Sequence, residues 1–355
     1  MNRYLILRSD AATLCGVEAF TRKLAEHLGS RALSHVLKLD PKDLWKSLDT
    51  CNGIVLNFPM VAWKRLLLEP LIAVMLARLR RKKVTVVLHE WASLDWKRRV
   101  ALWPIVLLAD AILFSAPEIR TEWLESRSSA GGRTPSALIP IPPNILMPET
   151  LSDTPAALEI REQRNKGRRV IGQFGSIYPK KNCAELLDIA GTLQDSGHDV
   201  AVAFIGSFIK ALDNVEEDFL RQVQARGLND RVLVTGYLGT DKDVFAAFRE
   251  VDVFCYKFSE GLTSRRGSVL AAALSGRVVV TNSPRKTASL AHHGLFQALI
   301  ANGNIVTCPA DADSAMMAAA VGRAIEGSPP PPLDFNAEVL SMWDAIICRL
   351  DEVQG

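Results

Sequence analysis

Phe258-Ser-Glu-Gly-Leu-Thr-Ser-Arg-Arg-Gly-Ser-Val-Leu-Ala-Ala-Ala-Leu-Ser-Gly-Arg-Val-Val-Val-Thr281 reads as the end of a strand, a polar loop, a short apolar helix, a glycine turn and a second strand. A strand joined to the next through a helix crosses over the sheet and returns parallel, so this stretch is one step of a doubly wound α/β sheet. The pattern continues on both sides of it. The runs Val170–Phe174, Val200–Ile205, Val232–Thr235 and Val251–Cys255 precede it, and Arg277–Thr281 and Gly303–Cys308 complete the set, with helical patterns between them.

The first half of the chain repeats the alternation, with strands expected at Tyr4–Arg8, His35–Leu39, Gly53–Phe58, Val84–His89, Ala111–Ser115 and Ala137–Ile141. The passage Pro140-Ile-Pro-Pro-Asn144, followed by polar sequence from Glu149 to Arg168, has the composition of an interdomain linker. After a second proline run, Pro329 to Pro332, an apolar-periodic helix from about Ala337 to Val353 closes the chain. The expectation is two Rossmann-like domains with parallel sheets, residues 1–150 and 168–330, and a final helical segment, 331–355.

Bulk composition narrows the function classes. The 355 residues are 48% hydrophobic and 23% charged, enough for two ordinary cores. Lys and Arg number 42 against 39 Asp and Glu, and this near-balance excludes a general nucleic-acid binder. Six cysteines, Cys15, Cys51, Cys183, Cys255, Cys308 and Cys348, show neither Cys-x-x-Cys spacing nor a framework pattern, which fits a reducing cytoplasm. Met1-Asn-Arg3 runs directly into a strand without the order of a signal peptide. The longest apolar stretch, Leu102 to Phe114, is broken by Pro104 and Asp110 and is too short to span a bilayer; it reads as core.

In doubly wound sheets ligands gather outside the carboxyl ends of the strands. In the opening stretch, Arg265 and Arg266 stand just before a helix whose first backbone N–H groups belong to Gly267 and Ser268. Helix N-termini attract anions, and two guanidiniums beside one suit a diphosphate; a solvated arginine pair with Ser268 as a simple cap is the structural alternative. A second loop, Gly175-Ser-Ile-Tyr-Pro-Lys-Lys-Asn182, brings Lys180 and Lys181 to the start of another helix, where a lysine can neutralise charge on a leaving phosphate. In the first half, Gly16 lies in the loop after the first strand, and the dinucleotide fingerprint Gly-x-Gly-x-x-Gly is missing there, which counts against a dehydrogenase. His89 ends a strand and can orient a sugar hydroxyl or a phosphate, or serve as a structural histidine.

The order Gly16-Val-Glu18, His89, Gly175 to Lys181, Gly206, Gly236 and Gly261 to Gly276 resembles GT-B fold glycosyltransferases of the GT4 type, most strongly from Val170 to Thr281. The resemblance implies two domains facing a cleft and a last helix, marked by Ser341-Met-Trp343, that crosses back to the N-terminal domain. It implies a retaining, metal-independent transfer from a nucleotide-diphosphate sugar, which is a donor substrate and not a resident cofactor. Lys181 would contact the donor diphosphate, His89 would lie near the transferred sugar, and Gly16 and Gly175 would approach the donor. The family's arginine partner of that lysine is Ser176 here, and its two glutamates fall on Thr263 and Ala271. Arg265 or Arg266 is expected to replace the lost arginine, and Glu260 is close enough in sequence to restore a carboxylate. Catalytic roles are thus expected of His89, Lys181 and Arg266, and donor contacts of Gly16, Gly175, Lys181, Glu260, Arg265, Arg266, Gly267 and Ser268. The pairs Asp241-Lys-Asp243 and Asp311-Ala-Asp313 read as loop or cap residues, and no metal site is expected.

A basic and aromatic concentration runs from Trp63 to Trp103, including Lys64, Arg65, Arg81, Lys83, Trp91 and Trp96. It suggests contact with anionic headgroups at the inner face of the plasma membrane and a glycan or lipid-linked acceptor, as in bacterial surface-polysaccharide assembly; solvated helix ends around buried tryptophans are the alternative. A non-catalytic GT-B subunit and a sugar-nucleotide epimerase are the competing functions.

Overall fold

The computed structural model describes residues 2–9, 16–37, 40–60, 63, 68–126, 134–178, 181–209, 214–331 and 335–354. Cys15, Lys64, Arg65, Lys180 and Pro332, named above, lie outside them. The chain forms two compact units, Met1–Asn144 with Val339–Gly355, and Ile145–Glu338.

The first unit holds β1 (Tyr4–Arg8), α1 (Gly16–Leu28), β2 (Ala32–Val36), α2 (Pro41–Asp49), β3 (Gly53–Phe58), α3 (Leu68–Leu79), β4 (Lys83–Leu88), α4 (Trp96–Leu107), β5 (Ala111–Phe114), α5 (Pro117–Ser126) and β6 (Ser136–Leu138). Its strands pair in parallel in the order β2-β1-β3-β4-β5-β6. The central strands are buried on both faces, which is why they read as unbroken apolar runs. The second unit holds α6 (Pro155–Asn165), β7 (Arg169–Phe174), α7 (Cys183–Asp195), β8 (Val200–Ile205), α8 (Val215–Ala225), β9 (Val232–Val234), α9 (Asp241–Arg249), β10 (Val253–Tyr256), α10 (Gly267–Leu274), β11 (Val278–Asn282), α11 (Gly294–Ala301), β12 (Ile305–Cys308) and α12 (Ser314–Glu326). Here the order is β12-β11-β10-β7-β8-β9, again parallel.

Every expected strand is present with ends shifted by a few residues; the largest shift is in β2, which runs Ala32–Val36 where His35–Leu39 was expected. The expected linker is corrected: residues 155–165 are helix α6, packed on α9. Thr154 caps it by accepting from Ala157 N–H, Pro155 occupies the first turn, and Ala156, Ala157, Ile160 and Gln163 make a buried stripe among charged residues. Small and polar residues on that stripe disguised the amphipathic period.

The closing helix, α13 (Asn336–Gln354), packs in the first unit from Val339 onward. Trp343 is buried there between His27, stacked at 4.8 Å, and Phe20 at 5.2 Å. Asp351 accepts from both the Tyr4 hydroxyl and Arg31, and Gln354 Nε2 donates to Thr85 Oγ1 at 2.7 Å. Among the described residues, no helix is long and apolar enough to cross a membrane.

Candidate functional site

Strand order decides where the second unit can bind a ligand. Numbered within the unit, its strands run 3-2-1-4-5-6 across the sheet, with β7 as 1 and β10 as 4, so connections leave in opposite directions from β7 and β10 and open a crevice between their carboxyl ends. The two loops at this switch point are the two singled out by their basic residues: Gly175 to Asn182 after β7, and Lys257 to Arg266 after β10.

The loop after β7 is fixed against its neighbour. Gly175 N–H donates to Ile205 O, and Ile177 N–H donates to Ser207 O at 2.9 Å. Gly175 and Gly206 meet back to back: a Cβ on Gly206 would lie 2.2 Å from Gly175 O, and both residues have positive φ, 126° and 153°. Lys181 follows, its Nζ 3.4 Å from where a Cβ on Gly175 would sit. No carboxylate pairs with Lys181 among the described residues. Burial, followed by the neighbouring Arg266 guanidinium, pushes its ammonium down to about 8.

Asn182 and Tyr256 join the loops. Asn182, in the left-handed region at φ 53°, donates through Nδ2 to Lys257 O and Ser259 Oγ, both at 3.0 Å. The Tyr256 hydroxyl accepts from Phe174 N–H at 3.0 Å and donates to Ser268 O at 3.3 Å, bridging the end of β7 to the first turn of α10. Burial raises its phenol, so the proton that makes the second bond stays in place. From the next strand, Asn282 accepts from Phe258 N–H at 2.9 Å and donates back to Phe258 O at 2.8 Å. These three residues were missed in the sequence; only the adjacency of Asn182 to Lys181 hinted at one of them.

Arg266 is the residue before α10, and its own side chain makes no capping hydrogen bond to that helix. Its guanidinium lies over the Phe258 ring, 4.2 Å from the centroid, and pairs with Glu260. Arg265 stands 4.0 Å from the same Glu260 oxygen. Burial pulls the Arg266 guanidinium down and Glu260 opposes that shift. Arg265 and Arg266 thus flank Glu260 at the N-terminus of α10, where Gly267 and Ser268 begin the helix, and Lys181 neighbours Arg266. The charge and backbone N–H groups there have the chemistry to hold an anion such as a diphosphate. Ser268 is not a side-chain cap, which sets aside the simple capping reading. Thr240 caps α9 by accepting from Asp243 N–H, Asp313 caps α12 by accepting from Met316 N–H, and Asp241 accepts from Leu146 N–H at 3.0 Å.

Gly16 and His89 stand in the first unit. Its order, 2-1-3-4-5-6, places the switch point between β1 and β3. Buried Ser9, His89 and Ser115 follow the ends of β1, β4 and β5, and buried Asn57 is the penultimate residue of β3. His89 Nε2 contacts Asn57 Oδ1 at 3.3 Å, and its ring meets the Phe20 edge at 5.1 Å. Gly16 opens α1, and buried Glu18 accepts from Ser9 N–H, the Ser9 hydroxyl at 3.1 Å and Arg22 Nε at 3.2 Å.

Residues 168–326 match the family described as Glycosyl transferases group 1. The whole chain is similar in structure to Anabaena HepE in complex with UDP and glucose, at 17% identity over 98% of this chain and 95% of that one, with a TM-score of 0.65. An E. coli trehalose-6-phosphate structure bound with UDP-2-fluoro glucose is similar at 13% identity, 99% of each chain and a TM-score of 0.61. Sucrose-phosphate synthase from Thermosynechococcus elongatus is similar at 14% identity, 99% of this chain, 100% of that one and a TM-score of 0.61. No curated protein sequence matches the chain. Two parallel six-stranded sheets and the group 1 match in the second unit define the class: the chain is a glycosyltransferase of the GT-B architecture.

Proposed function

We propose that the enzyme moves a sugar from a nucleotide-diphosphate donor to a glycan or lipid-linked acceptor, keeping the anomeric configuration and using no metal, in the manner of the GT4 type. The observation that carries this reading is the cluster of Lys181, Arg265 and Arg266 at the switch point of the second unit. As the bond from the anomeric carbon to the diphosphate oxygen breaks, negative charge grows on that oxygen, and these cations and the α10 N-terminus stabilise it without a divalent ion. UDP in the HepE complex makes UDP-sugars the first donors to test. Gly175 admits the diphosphate beside Lys181, and Glu260 aims Arg266 and reaches towards the ribose. His89, held by Asn57 and Phe20, orients the transferred sugar, with Gly16 at the donor's approach. The setting is bacterial surface-polysaccharide assembly on the cytoplasmic side of the membrane.

One observation favours a second reading, a non-catalytic partner subunit: Thr263 and Ala271 stand where the resemblance puts the two glutamates. Purified protein incubated with a panel of nucleotide sugars decides between them. Donor turnover that falls at least about tenfold in His89→Ala, with UDP affinity retained, supports the enzyme. Donor binding without turnover under any acceptor supports the subunit, and unchanged UDP affinity in Arg266→Ala removes the diphosphate site itself.

A further inference from the structure

The surface of the first unit carries an apolar stripe that its core does not use. On α3, Leu68, Ile72, Met75 and Leu79 recur at intervals of four, three and four residues, which aligns them on one narrow face. They are 69%, 39%, 57% and 70% exposed, while Ala73, Val74 and Ala77 on the other side are buried in the core. Helix α4, which packs beside α3, repeats the pattern with Trp96, Val100 and Leu107, 65%, 64% and 48% exposed. A single exposed leucine is ordinary; aligned large apolar side chains on two neighbouring helices mark a contact surface.

The structure also relocates the aromatic part of this segment. Trp63 and Trp91 are buried, and Trp91, Trp103 and Trp123 form an aromatic cluster with centroids 4.6 to 5.7 Å apart. These tryptophans are core, and Trp96 is the one of the segment that faces water.

Charge identifies the occupant. From Leu68 to Val100 there are eight Lys and Arg against three Asp and Glu, a local excess of five in a chain whose formal total is +3. Arg78, Arg80 and Arg98 are paired with Asp110, Asp49 and Asp95. Arg81, Lys83, Lys97 and Arg99 have no carboxylate partner among the described residues. An apolar stripe bordered by uncompensated positive charge matches a bilayer interface, where side chains sink below the headgroups and basic groups meet lipid phosphates. A second copy of the same surface would bring two such excesses face to face and repel.

We propose that α3 and the start of α4 dock the enzyme on an anionic lipid bilayer, with Leu68, Met75, Leu79 and Trp96 inserted and Arg81, Lys83 and Lys97 at the headgroups. This gives the lipid-linked acceptor reading its surface, and it is tested without donor or acceptor, so failure of one leaves the other measurable. The full-length chain is sedimented with phosphatidylglycerol–phosphatidylcholine vesicles and with pure phosphatidylcholine at low salt. Binding is expected to the anionic vesicles only and to weaken as salt rises. Met75→Glu with Leu79→Glu should lower it by at least about tenfold, with an unchanged circular-dichroism melt and unchanged UDP affinity. Lys97→Glu should weaken it less. Quenching of tryptophan emission by brominated lipid should fall in Trp96→Phe. No sedimentation with anionic vesicles at low salt, or equal binding by the double variant, overturns the proposal. A wild-type dimer that the double variant splits assigns the surface to a second copy and overturns it as well.

Discussion

Replacing Lys181 by methionine should stabilise the protein and disable its donor site. The ammonium sits in the crevice with no carboxylate partner among the described residues, and its pKa is pushed from an ordinary 10.5 to about 8 by burial and by Arg266. Between about pH 8 and 10.5 the unfolded chain therefore holds a proton at Lys181 that the folded protein does not, so this residue makes stability rise with pH across that window. Below pH 8 the lysine is protonated in both states, and the cost of burying the charge is present in full. At 1.36 kcal/mol per pKa unit that cost is about 3 kcal/mol, an upper bound because the side chain keeps some contact with water. Lys181→Met at pH 7 should then raise the melting temperature by on the order of 5 °C, a few degrees for each kcal/mol recovered. The same change should weaken UDP binding at least about thirtyfold, because the diphosphate loses a desolvated charge partner. Wild-type affinity should fall by up to tenfold per pH unit above pH 8, with proton uptake on binding visible in calorimetry across buffers of different ionisation enthalpy. In Lys181→Met both effects should vanish. A variant that melts lower than wild type and binds UDP with the same affinity and pH dependence would refute the assignment, since that is how a purely structural lysine behaves.

Three further outcomes follow from the same geometry. Asn182→Ala removes both hydrogen bonds between the basic loops and should cost about tenfold in UDP affinity; Asn182→Gly, which keeps the left-handed backbone, should recover none of it. Gly206→Ala forces a Cβ to 2.2 Å from the Gly175 carbonyl at a φ of 153°, and chemical denaturation should show a loss on the order of 3 kcal/mol or more. Asp351→Ala leaves the buried end of Tyr4 and Arg31 without their shared acceptor; about 2 kcal/mol should be lost, and hydrogen exchange should quicken in the last turns of α13.

The strands were legible because parallel strands buried on both faces need continuous apolar runs rich in β-branched residues, such as Val278-Val-Val280 and Val200-Ala-Val-Ala-Phe204. Helix α6 was hidden because three of its four buried positions are alanine or glutamine, leaving Ile160 as the one large apolar residue of the stripe. The two basic loops were legible as separate features, yet nothing in the sequence places β7 beside β10; that adjacency depends on strand order, which the spacing of runs does not encode. Asn182 and Tyr256 escaped for a related reason, since their partners are 75 and 82 positions distant in the chain. Exposure within the tryptophan-rich segment was the weakest point, because an indole serves a core and an interface equally well and only packing separates Trp91 from Trp96.

The lost glutamate pair leads to a last prediction. Ala271 is buried within α10, which packs on β7 and β11, so a carboxylate there would be desolvated. Thr263 is buried too, its hydroxyl without a hydrogen-bond partner among the described residues. The carboxylate actually present at the crevice is Glu260, about half exposed and paired with Arg266. Lys181, Arg265 and Arg266 against Glu260 leave two net positive charges, the complement of the two negative charges on the diphosphate of a nucleotide sugar. If Glu260 only balances the cations, Glu260→Gln should tighten binding of every diphosphate, with and without a nucleoside. If it also takes a ribose hydroxyl, as proposed, the variant should bind inorganic pyrophosphate severalfold tighter and UDP severalfold more weakly, because the one ligand gains an unopposed cation and the other loses a hydrogen bond to a charged group. Calorimetric titration of both ligands into both proteins reads the two effects separately. Shifts of the same sign for pyrophosphate and UDP would take the ribose contact away from Glu260.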